Sequence, residues 1–385
     1  MIGSSHITRH TSLVKARRAF TIIELLVAVG ITAALAGFII AIVSNVSGFW
    51  SRTTGRLSTE AQARYVLNQL TLDLQGAIFR DDGSVCFAAT VVNNASGSQG
   101  TPWQVALANP KPVGGLSFDL SATRADLVVR GRFTDTRYGN GGTWLRFFTT
   151  RRGANDPASA ATSLATASAP VAVGYQIVRR FTAATATGVA ATRTGYLFHR
   201  VEARPAANSA NRPGVLETGY GITGAAYTTS SASTNNGSVT GDPRTIQVVS
   251  TNARNFDSVI AENVIDFGVR AYVRDTAQAT GLRLVFPASD EKWTISAATN
   301  VRLISSLPAA TPPTPQNYNQ VFPEVVDVMV RILTDEGARL IASLEQANSP
   351  LTVPAGRNAQ QYWWDLADAN SQTFTRRIVL NAKSL

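Results

Sequence analysis

Cysteine, histidine and lysine are scarce in this chain of 385 residues, and each scarcity excludes a class of site. Cys86 is the only cysteine, so an intrachain disulfide or a zinc site with several cysteine ligands cannot form. We interpret Cys86 as a small buried apolar side chain. Of the three histidines, His6 and His10 stand near the start, which leaves His199 alone for catalysis in the body of the chain.

No constellation typical of an active site accompanies His199. It falls in a predicted strand beside Arg200, and no serine elbow or nearby acid completes a catalytic triad. We therefore expect a satisfied or solvent-facing strand histidine. The sequence Asp81-Asp82-Gly83-Ser84 lacks the spacing of a calcium-binding loop and predicts a turn that closes a helix. The sequence thus predicts no catalytic residue, no metal site and no cofactor.

Basic charge is carried almost wholly by arginine, because only Lys15, Lys111, Lys292 and Lys383 are lysines. Four basic residues lie within residues 1–19, which contain no acid, so the net charge of +10 falls to +6 without that segment. The remaining arginines are scattered singly along predicted strands, with no basic stripe between aromatics. We therefore predict no nucleic-acid partner.

A run of 19 residues without charge extends from Leu25 to Val43. At about 1.5 Å per residue, a helix of this length approaches the thickness of the bilayer core. The run is too long for the apolar region of an ordinary signal peptide, so we expect it to be retained. Basic residues precede it, which predicts a single-pass protein of the cytoplasmic membrane with residues 1–19 in the cytoplasm and the rest outside.

Glu24 stands at the start of this apolar segment. A carboxylate within a membrane helix costs about 2.5 to 3.5 kcal/mol at the bilayer centre, and it requires a partner. No lysine or arginine lies in the segment to supply one. A cut between Ala19 and Phe20 would create an α-amine at the membrane surface, and the amine of one subunit would meet Glu24 of its neighbour.

The stretch RRAFTIIELLVAVG, residues 17–30, resembles the class III signal of type IV pilins and type II secretion pseudopilins. The resemblance implies that a prepilin peptidase cuts before Phe20 and methylates its new amine, and that Glu24 guides subunit docking. Ala19 stands where the family usually has glycine. Small residues at Ala33, Gly37, Ala41 and Asn45 form a stripe of period four that permits close helix approach.

The order of later segments resembles the J-type minor pseudopilin of type II secretion. The segments are QLTLDLQGAIFR, VGYQIVRR, TGYLFHRVEA, NVIDFGVRAYV, DEKW and FPEVVDVMVRIL, between residues 69 and 333. Length and leader also suit the Verru_Chthon cassette protein C group. Both resemblances imply a pilin-like α+β fold, with a long N-terminal helix packed on a predominantly antiparallel β-sheet domain.

Apolar residues at helical spacing continue the first helix beyond the membrane segment. Leu57, Ala61, Tyr65 or Val66, Leu70, Leu74 and Ile78 predict a buried face, with Asp73 among the polar residues between them. We expect one helix from about Phe20 to about Phe79, with a weak spot at 47–56 where it could bend. The predicted parts are a leader at 1–19, a transmembrane half at 20–45, an amphipathic half at 46–80 and a β-rich domain at 81–385.

Within the β-rich domain, alternation is clearest in two segments. Ile265, Phe267, Val269, Ala271 and Val273 share one face of the first, and EVVDVMVRIL forms the second. Shorter predicted strands are 126–133, 143–149, 171–181, 194–203, 244–250, 281–286, 299–304 and 374–380. Thr334 is predicted to cap a helix over about 335–346. We expect loop insertions near 153–170 and 205–242.

Taken together, these features predict a non-enzymatic minor pilin or pseudopilin. Its partners would be other pilins or pseudopilins, a prepilin peptidase and the membrane, and its work would be the initiation or tip of a fibre. Two alternatives stay open. One is an anchored binding or adhesion protein that does not assemble, and the other is an anchored hydrolase that depends on His199.

Overall fold

The computed structural model describes residues 21–91, 143–150, 170–181, 194–205, 221–222, 239–240, 259–286, 301–314, 317–345, 349–381 and 383–384. The chain divides into two compact units, Met1–Thr54 and Gly55–Leu385. The predicted strands at 126–133 and 244–250 lie outside the described residues, as does almost all of the two predicted loop insertions.

The fold is mixed α+β, with antiparallel sheets that follow a long first helix. The helices are α1 (Ile22–Gln75), α2 (Asp335–Leu344) and α3 (Ala359–Ala369). The strands are β1 (Ile78–Phe79), β2 (Phe87–Val91), β3 (Thr143–Thr149), β4 (Val171–Phe181), β5 (Thr194–Pro205), β6 (Val239–Thr240), β7 (Val259–Glu262), β8 (Val264–Arg274), β9 (Leu282–Phe286), β10 (Val301–Ser305), β11 (Val325–Leu333), β12 (Ser371–Val379) and β13 (Lys383–Ser384).

Helix α1 has 54 residues and stays helical through 47–56, where the sequence predicts a weak spot. It ends at Gln75, before the expected boundary near Phe79. The reason is that Ile78 and Phe79 form β1, which pairs in parallel with β13. The turn at 81–83 therefore follows a short strand instead of the helix.

The predicted buried face of α1 is only partly correct. Ala63, Val66, Leu70 and Leu74 are fully buried, whereas Leu57 is 62% and Tyr65 56% exposed, and Ala61 is exposed as well. Successive residues turn by about 100° around the helix axis, so Leu57 lies about 180° from Val66. The helix from Gly55 to Gln75 therefore carries a second apolar stripe, opposite its buried face.

Two antiparallel sheets form the body of the second unit. The order in one is β10-β2-β3-β4-β5-β6, with β7 also paired to β5, and the order in the other is β12-β11-β8-β9. Asn263 stands between β7 and β8, which belong to different sheets, and its φ of 60° is left-handed. Its carbonyl accepts a 2.9 Å hydrogen bond from the Leu333 amide of β11. This one residue thus turns the chain from one sheet into the other.

Aromatic rings connect the two sheets through the core. Phe147 lies 5.8 Å from Phe87 and 6.2 Å from Tyr175 between ring centroids, and Tyr175 lies 6.0 Å from Phe198. Phe198 of β5 then meets Phe267 of β8 edge to face at 4.8 Å. The predicted inner face of β8 is confirmed, since Ile265, Phe267, Val269, Ala271 and Val273 are all fully buried.

The last two helices form one connection between β11 and β12. Helix α2 is confirmed with its cap, since the Thr334 hydroxyl accepts a 3.2 Å hydrogen bond from the Gly337 amide. Helix α3 is absent from the sequence prediction. Asn358 and Gln361 form a capping box at its start, and it buries Trp363 and Trp364.

Candidate functional site

The N-terminal part of α1 exposes a continuous apolar surface. Its large apolar side chains between Ile22 and Trp50 have exposed fractions from 52% at Ile39 to 84% at Ile22. Among the described residues, α1 is the one helix long and apolar enough to cross a membrane, with a mean hydropathy of 2.7 over 18 residues. Apolar area of this extent is rare on soluble monomers, so a membrane or a protein partner is required to cover it.

Thr21 and Glu24 form a capping box at the first turn of this helix. The amide and the hydroxyl of Thr21 both donate to Oε2 of Glu24, each at 3.1 Å. In return, the Glu24 amide donates to Oγ1 of Thr21 at 3.2 Å. This geometry satisfies amide groups that helix starts leave unpaired, and it places a negative charge at the positive end of the helix dipole.

The capping box uses only one oxygen of Glu24. The other, Oε1, accepts no hydrogen bond from any described residue. As far as the described residues go, Glu24 therefore retains a free acceptor at an exposed helix start. The role of Glu24 in a capping box was not predicted, although the spacing Thr-x-x-Glu that signals such a box is visible in residues 21–24.

The predicted cleavage site lies just before the described part of the chain. Ala19 and Phe20 are outside the described residues, so the predicted cut between them and the methylation of Phe20 stay predictions. The small residues Ala33, Gly37, Ala41 and Asn45 lie on α1 and are all exposed. A Cβ atom added at Gly37 would have no neighbour within 4 Å. No described residue packs against Gly37, and the use of this stripe as an assembly face stays a prediction.

A charged network is buried where α1 meets the first sheet. Asp73 is fully buried, although its spacing predicts a polar, outward position. Its Oδ2 accepts a hydrogen bond from the Tyr175 hydroxyl and a 2.6 Å hydrogen bond from Nε of Arg200. Nη1 of Arg200 then contacts Oε2 of Glu202 at 2.7 Å. Helical spacing alone missed this network, because its partners lie on β4 and β5.

The pKa values in this network follow from burial and from the neighbouring charges. Burial raises the pKa of Tyr175 well above its ordinary value of 10.0, and the negative charge of Asp73 adds to the effect. For Arg200, burial by itself lowers the pKa, but electrostatic interactions with Tyr175, which is ionised only at the very high pH where Arg200 would titrate, and with Asp73 outweigh burial and raise it. Tyr175 therefore stays neutral as a donor, and Arg200 stays charged. The network holds the last turn of α1 to the sheet.

The other residues considered for chemistry occupy structural positions. His199 is fully buried in β5, opposite Gln176 of β4. Cys86 is also fully buried, as its sequence context suggests, and burial raises the pKa of its thiol. Asp82 accepts from the Ser84 amide at 2.9 Å and pairs with Arg80, as expected for a turn. Within the described ranges, no three histidine, cysteine or acidic side chains come together to hold a metal.

A cavity of about 100 Å³ lies between β5, β7 and α2. Tyr196, Asn263, Ile341 and Glu345 line part of its wall. Oε1 of Glu345 accepts from the Tyr196 hydroxyl and, at 2.9 Å, from Nε1 of Trp363. The cavity has room for a few water molecules and is too small for a typical organic ligand.

Comparison with known proteins identifies no relative. No family model, no curated protein and no solved structure matches this chain.

Proposed function

We propose that the chain is a minor pilin or pseudopilin subunit that assembles through α1 into a type IV pilus-like fibre or a type II secretion pseudopilus. Its place is at the initiation or the tip of the fibre. The single observation that carries the proposal is Glu24. It is a carboxylate at the start of an exposed apolar helix, and one of its oxygens has no partner among the described residues.

The charge of Glu24 supports assembly because a carboxylate entering lipid unpaired costs free energy. A cation brought by a neighbouring subunit removes this cost, and the amine of Phe20 formed by cleavage is such a cation. The leader motif at residues 17–30 and the exposed apolar surface of α1 support the same arrangement. Residues 1–19 then face the cytoplasm, and the β-rich unit lies outside the cytoplasmic membrane.

One observation favours the alternative of a plain membrane anchor. Glu24 already accepts two hydrogen bonds from Thr21 of its own chain, and this is sufficient reason for an acid at the third position of a helix. The anchored unit would then act as a binding or adhesion protein without forming a fibre. The two functions differ in whether the charge of Glu24 or its capping contact matters.

Two variants separate the charge from the cap. Glu24→Gln keeps the capping box, because glutamine accepts the same hydrogen bonds, but it removes the charge. Thr21→Val removes the hydroxyl, and with it two of the three hydrogen bonds of the cap, and keeps the carboxylate. Both variants are expressed in cells that carry a type IV pilus or type II secretion system, and co-assembly with the pilins of that system is measured by crosslinking in membranes. The mass and the N-terminus of the mature chain are determined in parallel.

We expect a mature chain that begins at methylated Phe20, with co-assembly lost in Glu24→Gln and retained in Thr21→Val. A mature chain that begins at Met1 would contradict the proposal, and so would equal assembly in the two variants. Those results would favour the anchor.

A further inference from the structure

Among the described residues of the second unit, one long sheet edge has no partner strand. Strand β12 is the outermost strand of the four-stranded sheet, and it pairs with β11 over nine residues without a register shift. On its other side, no strand in the described part of the chain pairs with it. Unpaired edge strands offer a row of backbone donors and acceptors to another extended chain.

The register shows which residues offer these groups. The Thr334 amide donates to the Asn370 carbonyl at 2.9 Å, and the Leu380 amide donates to the Glu324 carbonyl at 2.8 Å. These two hydrogen bonds lie at the two ends of the pairing between β11 and β12. Along an antiparallel strand, successive residues direct their amide and carbonyl groups alternately to one side of the strand and to the other. The even-numbered residues of β12 therefore bond to β11. The odd-numbered residues direct their amides and carbonyls to the free edge, and they include Thr373, Thr375 and Arg377.

Strand β12 runs alongside α1. Near its start, Oε1 of Gln372 accepts a 2.9 Å hydrogen bond from the Thr59 hydroxyl. Further along, Nη1 of Arg376 donates to Oδ1 of Asn68 at 2.6 Å and contacts the hydroxyl of Thr71 at 3.2 Å. The free edge and the second half of α1 thus belong to one side of the unit.

Exposed apolar side chains occur on the same two elements. In the described part of Gly55–Leu385, the exposed large apolar residues are Leu57, Tyr65 and Leu72 on α1 and Val379 on β12, with exposed fractions of 62%, 56%, 46% and 56%. Apolar exposure confined to two adjoining elements is typical of an interaction surface. We define this docking edge as β12 together with these three residues of α1.

The charge of the docking edge favours an acidic partner over a second copy. Strand β12 contains two arginines and no acid. Arg377 is neutralised by Asp327 through two hydrogen bonds of 2.7 and 2.8 Å, whereas the hydrogen bonds of Arg376 go to neutral oxygens. Two β12 strands paired with each other would bring like charges together, which disfavours self-pairing.

We propose that the docking edge binds an extended segment of a different protein by β-strand addition. The segment contributes backbone hydrogen bonds to the odd-numbered residues of β12, a carboxylate near Arg376, and apolar side chains over the exposed residues of the docking edge. This is the recognition mode in which the main chain supplies affinity and alternate side chains supply specificity.

A pair of variants at Thr375 tests the backbone contact. Thr375→Pro removes an outward amide and leaves the ladder to β11 intact, because proline is tolerated on edge strands when its missing amide faces solvent. Thr375→Val is the matched control, since it changes the side chain and keeps the amide. Circular dichroism and the thermal midpoint test whether both variants fold, and we expect values close to those of the wild type.

The probe is a fluorescein-labelled peptide, acetyl-Thr-Val-Glu-Val-Glu-Val-Thr-amide, titrated with the full chain in detergent micelles. Anisotropy reports the dissociation constant. We expect Thr375→Pro to weaken binding about three- to tenfold, as loss of one backbone hydrogen bond predicts, and Thr375→Val to leave it unchanged. Arg376→Gln should weaken binding about two- to fivefold, and a peptide with lysine in place of glutamate should bind less tightly than the original.

Three results would overturn the proposal. They are no binding of the probe to the wild type, equal binding by the proline and valine variants, and self-association of the wild type that Thr375→Pro abolishes. The last result, seen by analytical ultracentrifugation, would assign the edge to a second copy. Because these variants leave Glu24 unchanged, none of these results bears on the proposed fibre assembly.

Discussion

Asp73 of α1 accepts a hydrogen bond from Tyr175 of β4, which lies 102 residues further along the chain. Both side chains are fully buried, and Arg200 of β5 shares the same carboxylate oxygen. The end of the first helix is thus attached to the sheet by a charged contact as well as by apolar packing. Removing Asp73 takes the acceptor from the buried Tyr175 hydroxyl and leaves Glu202 as the acidic partner of Arg200.

Replacing Asp73 by alanine should lower the free energy of unfolding by about 3 to 5 kcal/mol, because Arg200 and Tyr175 lose their shared acceptor. Urea unfolding of the full chain in detergent, followed by tryptophan fluorescence, measures the change. Gln75→Ala is the control, since Gln75 is exposed two residues further along α1, and its effect should stay within about 0.5 kcal/mol. A loss below about 1 kcal/mol in Asp73→Ala would show that the network contributes little.

Tyr175 should make stability depend on alkaline pH. Because its pKa is raised in the folded state, the folded protein keeps this proton when the unfolded chain loses it above about pH 10. The contribution of Tyr175 to the free energy of unfolding is fully present below about pH 10. Above that pH it decreases by up to about 1.4 kcal/mol per pH unit. Tyr175→Phe should be less stable at pH 8 but show a flatter slope above pH 10 in urea unfolding. Parallel slopes for the two proteins would contradict this assignment.

Asn263 should tolerate glycine but not valine. Its φ of 60° is open to glycine and asparagine, whereas a β-branched side chain is strained there. We expect Asn263→Gly to stay within about 0.5 kcal/mol of the wild type and Asn263→Val to lose about 1 to 3 kcal/mol. Thermal unfolding by circular dichroism compares the two. Equal midpoints would mean that the backbone can relax at this position.

Gly337 allows α2 to approach the end of α3. A Cβ atom at this position would lie 2.6 Å from Cβ and 2.8 Å from the carbonyl oxygen of Asn370. Gly337→Ala should therefore destabilise by about 1 to 3 kcal/mol, despite the better helix propensity of alanine. Gly55→Ala is the helical control. Its Cβ would lie at an ordinary 3.6 Å from Thr334, so a gain of up to about 1 kcal/mol is expected. Equal effects in denaturant unfolding would refute the steric argument.

Local patterns predicted the strands of the core well. Alternation places Phe267 and Val269 on the inner face of β8, and both are buried. The predicted bounds of β3 and β4 agree with the structure. These segments were predictable because burial of one or both faces leaves a continuous or alternating apolar pattern, which needs no knowledge of the partner strand.

Positions that depend on distant partners were not predictable from the pattern. Asp73 has the charge of a surface residue, and only Tyr175 and Arg200 on two distant strands make its burial possible. Tyr65 and Val66 are adjacent apolar residues, and the sheet covers Val66 while Tyr65 stays exposed. Helix α3 was missed because a short helix with mixed composition resembles a loop, although Asn358 and Gln361 carry its capping signal.

The candidate site was predictable to the extent that it is local. Position and charge single out Glu24 in the sequence. The structure adds the capping contact with Thr21 and a second oxygen that no described residue contacts by a hydrogen bond. The docking edge could not be predicted from the sequence, because it depends on β12 being the outermost strand of its sheet. Strand order is a tertiary property that alternation within one segment does not contain.

The first strands of the second unit pair with strands that lie far along the chain. Strand β1 pairs with β13, and β2 pairs with β10 in addition to β3. Contacts between such distant segments slow folding, because the intervening chain must be ordered before they form. During synthesis, β1 lacks its partner strand until residues 383–384 have been made, and β2 lacks one of its two partners until residues 301–305 have been made. The finished unit is thus one in which the earliest segments are the last to be completed.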